Sequence, residues 1–239
     1  MSLATTSTDK GLKNIITENE HFLRNQYPKK HHHYNLEDFW HFQSKTGKII
    51  DWNESRNILV TEDFIIGLIE GLEQEIGSAS SVVMYNIGVE WGKKDAEFFR
   101  HWFEKEYEYG INELVLPHIL EAWWWPFTSQ GWGNWDVDLS DQKNGFMFIN
   151  IFDSAVARTL GDVGKPVCHI YAGLFAGFFS NLIDKSLDCI EIHCYAMGET
   201  YCKFLLGKKE TIDAATFWQN EGASAKDIEK QLQNGEYLK

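Results

Sequence analysis

The chain has 239 residues, of which 44% are hydrophobic and 15% aromatic, with ten Trp, sixteen Phe and nine Tyr. That is ample apolar material for the core of one domain or two small ones. A net charge of −13 excludes the basic footprint that nucleic-acid binding requires and opposes adhesion to anionic membrane surfaces.

Taken in chain order, residues 1 to about 20 are polar, and His31, His32 and His33 follow a Pro-Lys-Lys run. Three consecutive side chains cannot readily converge on one ion, so the histidines read as a solvated turn more readily than as a metal site. Phe39, Trp40, Phe42 and Trp52 punctuate the next stretch, which reads as an arm packing on the body or on a partner. Ile58-Leu59-Val60 reads as a short strand. Thr61 then caps an amphipathic helix with Glu62 and Asp63 in its first turn and Phe64, Leu68, Leu72 and Ile76 at four-residue intervals.

A second helix is expected from Ser80 to about Tyr107, with Gly88 and Gly92 permitting close approach of another element. A third spans Ile111–Phe127, kinked or started by Pro117. It carries His118 and the run Trp123-Trp124-Trp125, of which no helix can bury all three on one face. Strands follow at Gly131–Leu139 and Phe146–Asp153, joined by a turn through Asn144-Gly145. The second strand is apolar on both faces and is expected to be central. Val167–Ile183 reads as an apolar helix, then Cys189–Tyr195 and Tyr201–Leu206 as a hairpin turning at Met197-Gly198-Glu199. Helices at Thr211–Asn220, with Ile212, Ala215 and Phe217 inward, and Ala225–Gln233, capped by Ser224, complete the chain. The expected architecture is α+β: an antiparallel sheet of about four or five strands against helices, with an extension over residues 1–55 and one domain over 56–239.

No secretory signal is read at the N-terminus, and the apolar run Ile170–Leu182, interrupted by Ser180 and Asn181, is too short to span a bilayer. The expectation is a cytoplasmic protein with reduced thiols and no transmembrane segment. There is no G-x-S-x-G, P-loop, dinucleotide fingerprint or H-E-x-x-H. Asp136 and Asp138 alternate on a strand ahead of a polar turn and read as a solvated face, and Gly173-x-x-x-Gly177 reads as a helix-packing notch.

All four cysteines, Cys168, Cys189, Cys194 and Cys202, fall in the segment 153–206. Two readings stay open on spacing. Free cysteines are commonly plain buried thiols. Equally, a hairpin brings Cys194 and Cys202 together, a helix packing on the sheet adds Cys168, and Glu191 completes four donors suited to zinc. Strict alternation places Glu191 and Cys194 on opposite faces of the strand. The metal reading therefore requires a twist or bulge near His193.

The motif P-V-C-H-I-Y-A-G-L-F-A-G-F, followed by E-I-H-C-Y-A-M-G-E-T-Y-C-K-F, resembles the 4-vinyl reductase domain family. A Gly-x-Glu-x-Gly group (Gly88, Glu90, Gly92) extends the resemblance upstream to about Arg56. The resemblance implies that Cys168, Glu191, Cys194 and Cys202 bind zinc and that Cys189 is core. Four protein ligands leave no position open for water, which points to a structural ion. It also implies a cavity for an aromatic or apolar molecule, for which His118, Trp123, Trp124, Trp125, Trp132, Phe148 and Tyr171 are the candidate ligand-binding residues, and pairing as a homodimer. Similarity to stand-alone cyanobacterial members implies a tetrapyrrole or chlorophyll-type ligand and photosystem II assembly proteins as partners, peripheral to the thylakoid membrane. Two other readings are an assembly scaffold without a tight ligand and a tetrapyrrole-tailoring enzyme or its subunit.

Overall fold

The computed structural model describes residues 35–238; the histidine run at 31–33 lies outside them. The chain forms two compact units, one of residues up to Leu59 with Phe99–Gln130, the other of Val60–Phe98 with Gly131 to the C-terminus.

In the first unit, Asn35 caps a single helical turn, α1 (Leu36–Phe39), by accepting from the Glu37 N–H. An antiparallel sheet follows, β1 (Trp40–Gln43), β2 (Lys48–Asp51) and β3 (Arg56–Asn57), in the order β1-β2-β3. The expected strand Ile58–Val60 is not formed. Ile58 and Leu59 are each 76% exposed, so nothing there rewards an extended pairing. Helix α4 (Leu116–Gln130) starts one residue before Pro117, where a missing N–H costs nothing. Trp125 meets Phe39 edge-on at 4.9 Å, and the Trp40 Nε1–H donates to Ser129 Oγ at 3.0 Å. Those contacts tie the aromatic arm to α4.

The second unit opens with α2 (Glu62–Ile76). Thr61 precedes it in extended conformation but makes no side-chain cap bond. Helix α3 (Ala79–Tyr107) follows, with Ala79–Phe98 in this unit and the remainder in the first. A four-stranded antiparallel sheet is built from β4 (Asn134–Asp138), β5 (Phe146–Phe152), β6 (Asp188–His193) and β7 (Cys202–Gly207), in the order β4-β5-β7-β6. The two central strands are β5 and β7, and all six residues of β7 are buried, as sheet coverage on both faces demands.

Helix α6 (His169–Ile183) covers one face, where Tyr171 and Phe175 meet Phe204 at 6.3 and 5.2 Å. On the other face, Phe146, Phe148, Ile192 and Leu205 pack with Ile212 and Ala215 of α7 (Lys209–Asn220) and Ile228 and Leu232 of α8 (Ala225–Gln233). The Ser224 capping box starts α8, its Oγ accepting from the Asp227 N–H. Phe217, expected inward, is 62% exposed: the buried stripe of α7 runs through Ile212 and Ala215, and 217 falls off it. A short helix, α5 (Ala155–Leu160), too brief for periodicity to reveal, is capped by Ser154.

Helices α3 and α6 cross through paired glycine notches. A Cβ added at Gly88 or Gly92 would strike the Ile170 and Leu174 carbonyl oxygens. One added at Gly173 or Gly177 would strike those of Tyr85 and Val89. This reciprocal fit seats α6 and fixes where Cys168, at its start, is placed.

Candidate metal centre

Each donor is delivered by a different local device. Cys168 occupies the N-cap position of α6. Glu191 lies in β6, Cys194 directly follows that strand, and Cys202 opens β7 opposite Ile151. The pairing of β6 with β7 steps from Glu191↔Phe204 to His193↔Lys203, leaving Ile192 as an extra residue. This bulge absorbs one position of the alternation, so Glu191 and Cys194 share a face. A 3₁₀ turn, Tyr195–Met197, with left-handed Gly198 behind it, returns the chain toward Cys202. The strands therefore stop farther from the turn than the expected Cys189–Tyr195 and Tyr201–Leu206, at Asp188–His193 and Cys202–Gly207. The Val163 and Gly164 N–H groups both donate to the Ala196 carbonyl, at 2.9 and 2.8 Å. They pin the segment before α6 to that turn. Gln219 of α7 donates to the Glu191 carbonyl at 3.0 Å.

The four donor atoms lie within 4.8 Å of one another, and all four residues are buried. The Sγ atoms of Cys168 and Cys202 are 3.8 Å apart, those of Cys202 and Cys194 3.9 Å. A disulfide needs about 2.05 Å, so these are free thiols. A tetrahedron of thiolates about 2.3 Å from a zinc ion has edges of about 3.8 Å, which the sulfur spacing matches. The Glu191 carboxylate accepts from the Cys168 N–H through Oε2 at 2.9 Å, while its buried Oε1 has no hydrogen-bond partner. A buried carboxylate oxygen without a partner is costly, and a cation among the sulfurs would satisfy it. The donor set therefore fits a metal ion.

Without a metal, the cluster holds its protons tightly. Burial pushes the Cys168 thiol and the Glu191 carboxyl well above their ordinary ranges. Hydrogen bonds from Cys168 and Cys202 hold Cys194 far below the usual thiol range. Cys202 is lowered by its bond with Cys168 but more than offset by its bond to Cys194 and by burial, and ends up raised.

The aromatic candidates are distributed between the units. His118 and Trp123 are buried on α4 in the first unit, while Trp124 and Trp125 are half-buried. Burial lowers the His118 imidazole below its ordinary value, keeping it neutral. Trp132 and Tyr171 belong to the second unit and meet: their rings are 6.0 Å apart, and the Tyr171 hydroxyl donates to the Trp132 carbonyl at 2.7 Å. Trp91 and Trp135, which periodicity marked only as core or left unremarked, extend this cluster, at 5.2 Å from Trp132 and 6.1 Å from Tyr171. Phe148 stands apart from Tyr171. It points to the α7/α8 side of the sheet, with the Lys203 ammonium 4.4 Å from its ring centroid. Asp136, expected on a solvated face, is instead half-buried, accepts from Asn150 at 3.3 Å and has its carboxyl raised by that burial.

Fold and site together define an α+β domain in which a helix start and a bulged hairpin close a buried three-cysteine, one-glutamate cluster. Residues 147–208 match the model of the 4-vinyl reductase domain family, which supports the resemblance carried by the cysteine motif. An uncharacterized protein of Methanocaldococcus jannaschii is 29% identical over 136 residues, spanning 56% of this chain and 68% of the relative. A second from the same archaeon is 30% identical over 70 residues, 29% of this chain and 40% of the relative. The phenol-responsive sensory domain of the transcription activator PoxR, solved with phenol, shares the fold with a TM-score of 0.57 at 22% identity, over 78% of this chain and 90% of that one. A vinyl-4-reductase family protein of Methanocaldococcus jannaschii matches with a TM-score of 0.39 at 17% identity, over 60% and 75% of the two chains. No helix among the described residues is long and apolar enough to cross a membrane.

Proposed function

We propose that this protein binds an aromatic or large apolar small molecule without transforming it, on a domain held together by a structural zinc ion. The observation that carries the reading is the closed donor set at Cys168, Glu191, Cys194 and Cys202. Three thiolates and a carboxylate make an ion electron-rich and leave it no site for water or substrate, so its role is to hold the fold. Zinc suits sulfur-dominated tetrahedral sites of this size.

For the ligand, the neutral His118 imidazole shares α4 with Trp123, Trp124 and Trp125. A neutral imidazole offers one donor and one acceptor, which suits a phenolic hydroxyl, a carbonyl or the central metal of a tetrapyrrole. The fold shared with a phenol-responsive sensory domain supports an aromatic ligand class. A tetrapyrrole, a role in photosystem assembly and a homodimer are the finer reading, and rest on the family resemblance alone.

The test is to purify the protein from its native host, extract it with organic solvent and record absorbance and mass spectra alongside zinc content. Stoichiometric zinc with a stoichiometric aromatic molecule, lost in Trp124→Ala, supports the proposal. Folded, zinc-loaded protein with a clean extract, and no quenching of tryptophan fluorescence by phenols or porphyrins, overturns the ligand half. A folded protein without metal overturns the zinc half.

A further inference from the structure

Helix α2 is out of balance with the rest of its unit. Over Glu62–Ile76 it carries seven large apolar side chains, yet none of its residues is buried. One side is accounted for. Ile65, Ile66, Ile69 and Leu72 are half-buried, and the same side is pinned where Glu62 accepts from the Thr159 hydroxyl at 2.6 Å and Glu73 pairs with Lys165 at 2.5 Å. Among the described residues the opposite side has no counterpart: Phe64 is 51% and Leu68 43% exposed. Between them sit Gly67 and Gly71, where an added Cβ would meet nothing among the described residues within 4 Å.

The same four-residue glycine spacing recurs twice elsewhere in this chain, at Gly88/Gly92 and Gly173/Gly177, and in both places another helix backbone fills the notch. Glycine in a helix interior costs about 1 kcal/mol against alanine. Two of them in open solvent carry that cost without the close packing that offsets it in α3 and α6. An apolar face of this kind on a folded chain marks an interaction surface.

Charge selects the occupant. On a helical wheel, Asp63, Glu70 and Glu75 fall on the open side of α2, around the glycine notch. All three are exposed, none forms an ion pair among the described residues, and the helix contains no Lys or Arg. A second copy of α2 crossing here about a two-fold axis would set these carboxylates against their own copies. We infer that the Phe64–Gly67–Leu68–Gly71 face of α2 docks an amphipathic helix of a partner protein, with small residues at the crossing and Lys or Arg on its flanks. The contact is small and helix-on-helix, which suits a transient complex.

The test uses the full, metal-loaded chain and two stapled helical peptides read by fluorescence anisotropy. Both present alanines and leucines on one face; one is flanked by lysines, the other by glutamates. The lysine peptide binds at least about ten-fold tighter, and more weakly as salt rises. Gly71→Leu abolishes that binding with metal content unchanged and melting temperature equal or raised, since its side chain enters open space and leucine favours the helix. The triple variant Asp63→Lys, Glu70→Lys, Glu75→Lys inverts the preference. Equal binding of both peptides, unaltered binding to Gly71→Leu, or a failure to invert overturns the inference. So does a dimer in sedimentation equilibrium that Gly71→Leu dissociates, because the face would then belong to a second copy.

Discussion

Among individual residues, Glu191 carries the argument for a metal. As a buried carboxyl with one oxygen bound by the Cys168 N–H and the other without a partner, it is a poor choice for stability alone and a good one for completing a cation site. Cys194→Ser removes a thiolate from that site. Metal content should fall from about one to well below one ion per chain, with a loss of several degrees in melting temperature, read by plasma mass spectrometry and calorimetry. Cys189→Ser is the control: Cys189 lies outside the cluster, so its metal content should stay at one. Titration is equally specific. Thiols bind a metal as thiolates, and burial raises Cys168 and Cys202, so binding a divalent ion near neutral pH should release protons. Calorimetric titrations in buffers of different ionisation enthalpy measure that release; a value near zero contradicts the assignment of these thiols as ligands.

At the scale of elements, the two kinds of glycine pair make opposite predictions. Gly173→Ala drives a methyl into the Tyr85 backbone and should cost about 3 kcal/mol or more, because two helix axes must separate. Gly67→Ala meets nothing and should stabilise by about 0.5–1 kcal/mol through helix propensity. Chemical denaturation of both variants checks the sign difference. The same elements show what was legible in the sequence. That α3 and α6 each pack closely on another element could be read in advance from glycines four apart in their sequences; that they pack on each other could not. The bulge near His193 could be deduced, because two ligands of opposite alternation cannot otherwise meet. The failures are just as physical. Ile58–Val60 looks like a strand by composition but has no neighbour to pair with. Phe217 belongs to the right helix but to the wrong angular stripe. The first unit's division of the chain was not legible, since it joins residues up to Leu59 to Phe99–Gln130, and no local pattern encodes that return.

For the whole molecule, a metal bound at this cluster would tie stability to pH in a way that separates the loaded from the stripped protein. In the stripped form, the raised Glu191 makes the fold lose stability as pH rises above the ordinary carboxyl value of 4.5. The depressed Cys194 makes it gain stability as pH rises toward the ordinary thiol value of 9.0, so the two slopes oppose each other. With an ion bound by all four side chains the folded cluster would hold no protons, while the unfolded chain between those two values holds three, on Cys168, Cys194 and Cys202. Stability should then rise with pH by about 4 kcal/mol per unit at fixed free metal, less whatever affinity the unfolded thiols have for the ion. Melting temperatures between pH 6 and pH 8 should therefore climb steeply in a zinc buffer and change little from this cluster in chelator. The gap between the two curves should open with pH and close toward acid. A gap that stays constant would mean that the ion does not displace protons from these four side chains, and the ligand assignment would fall with it.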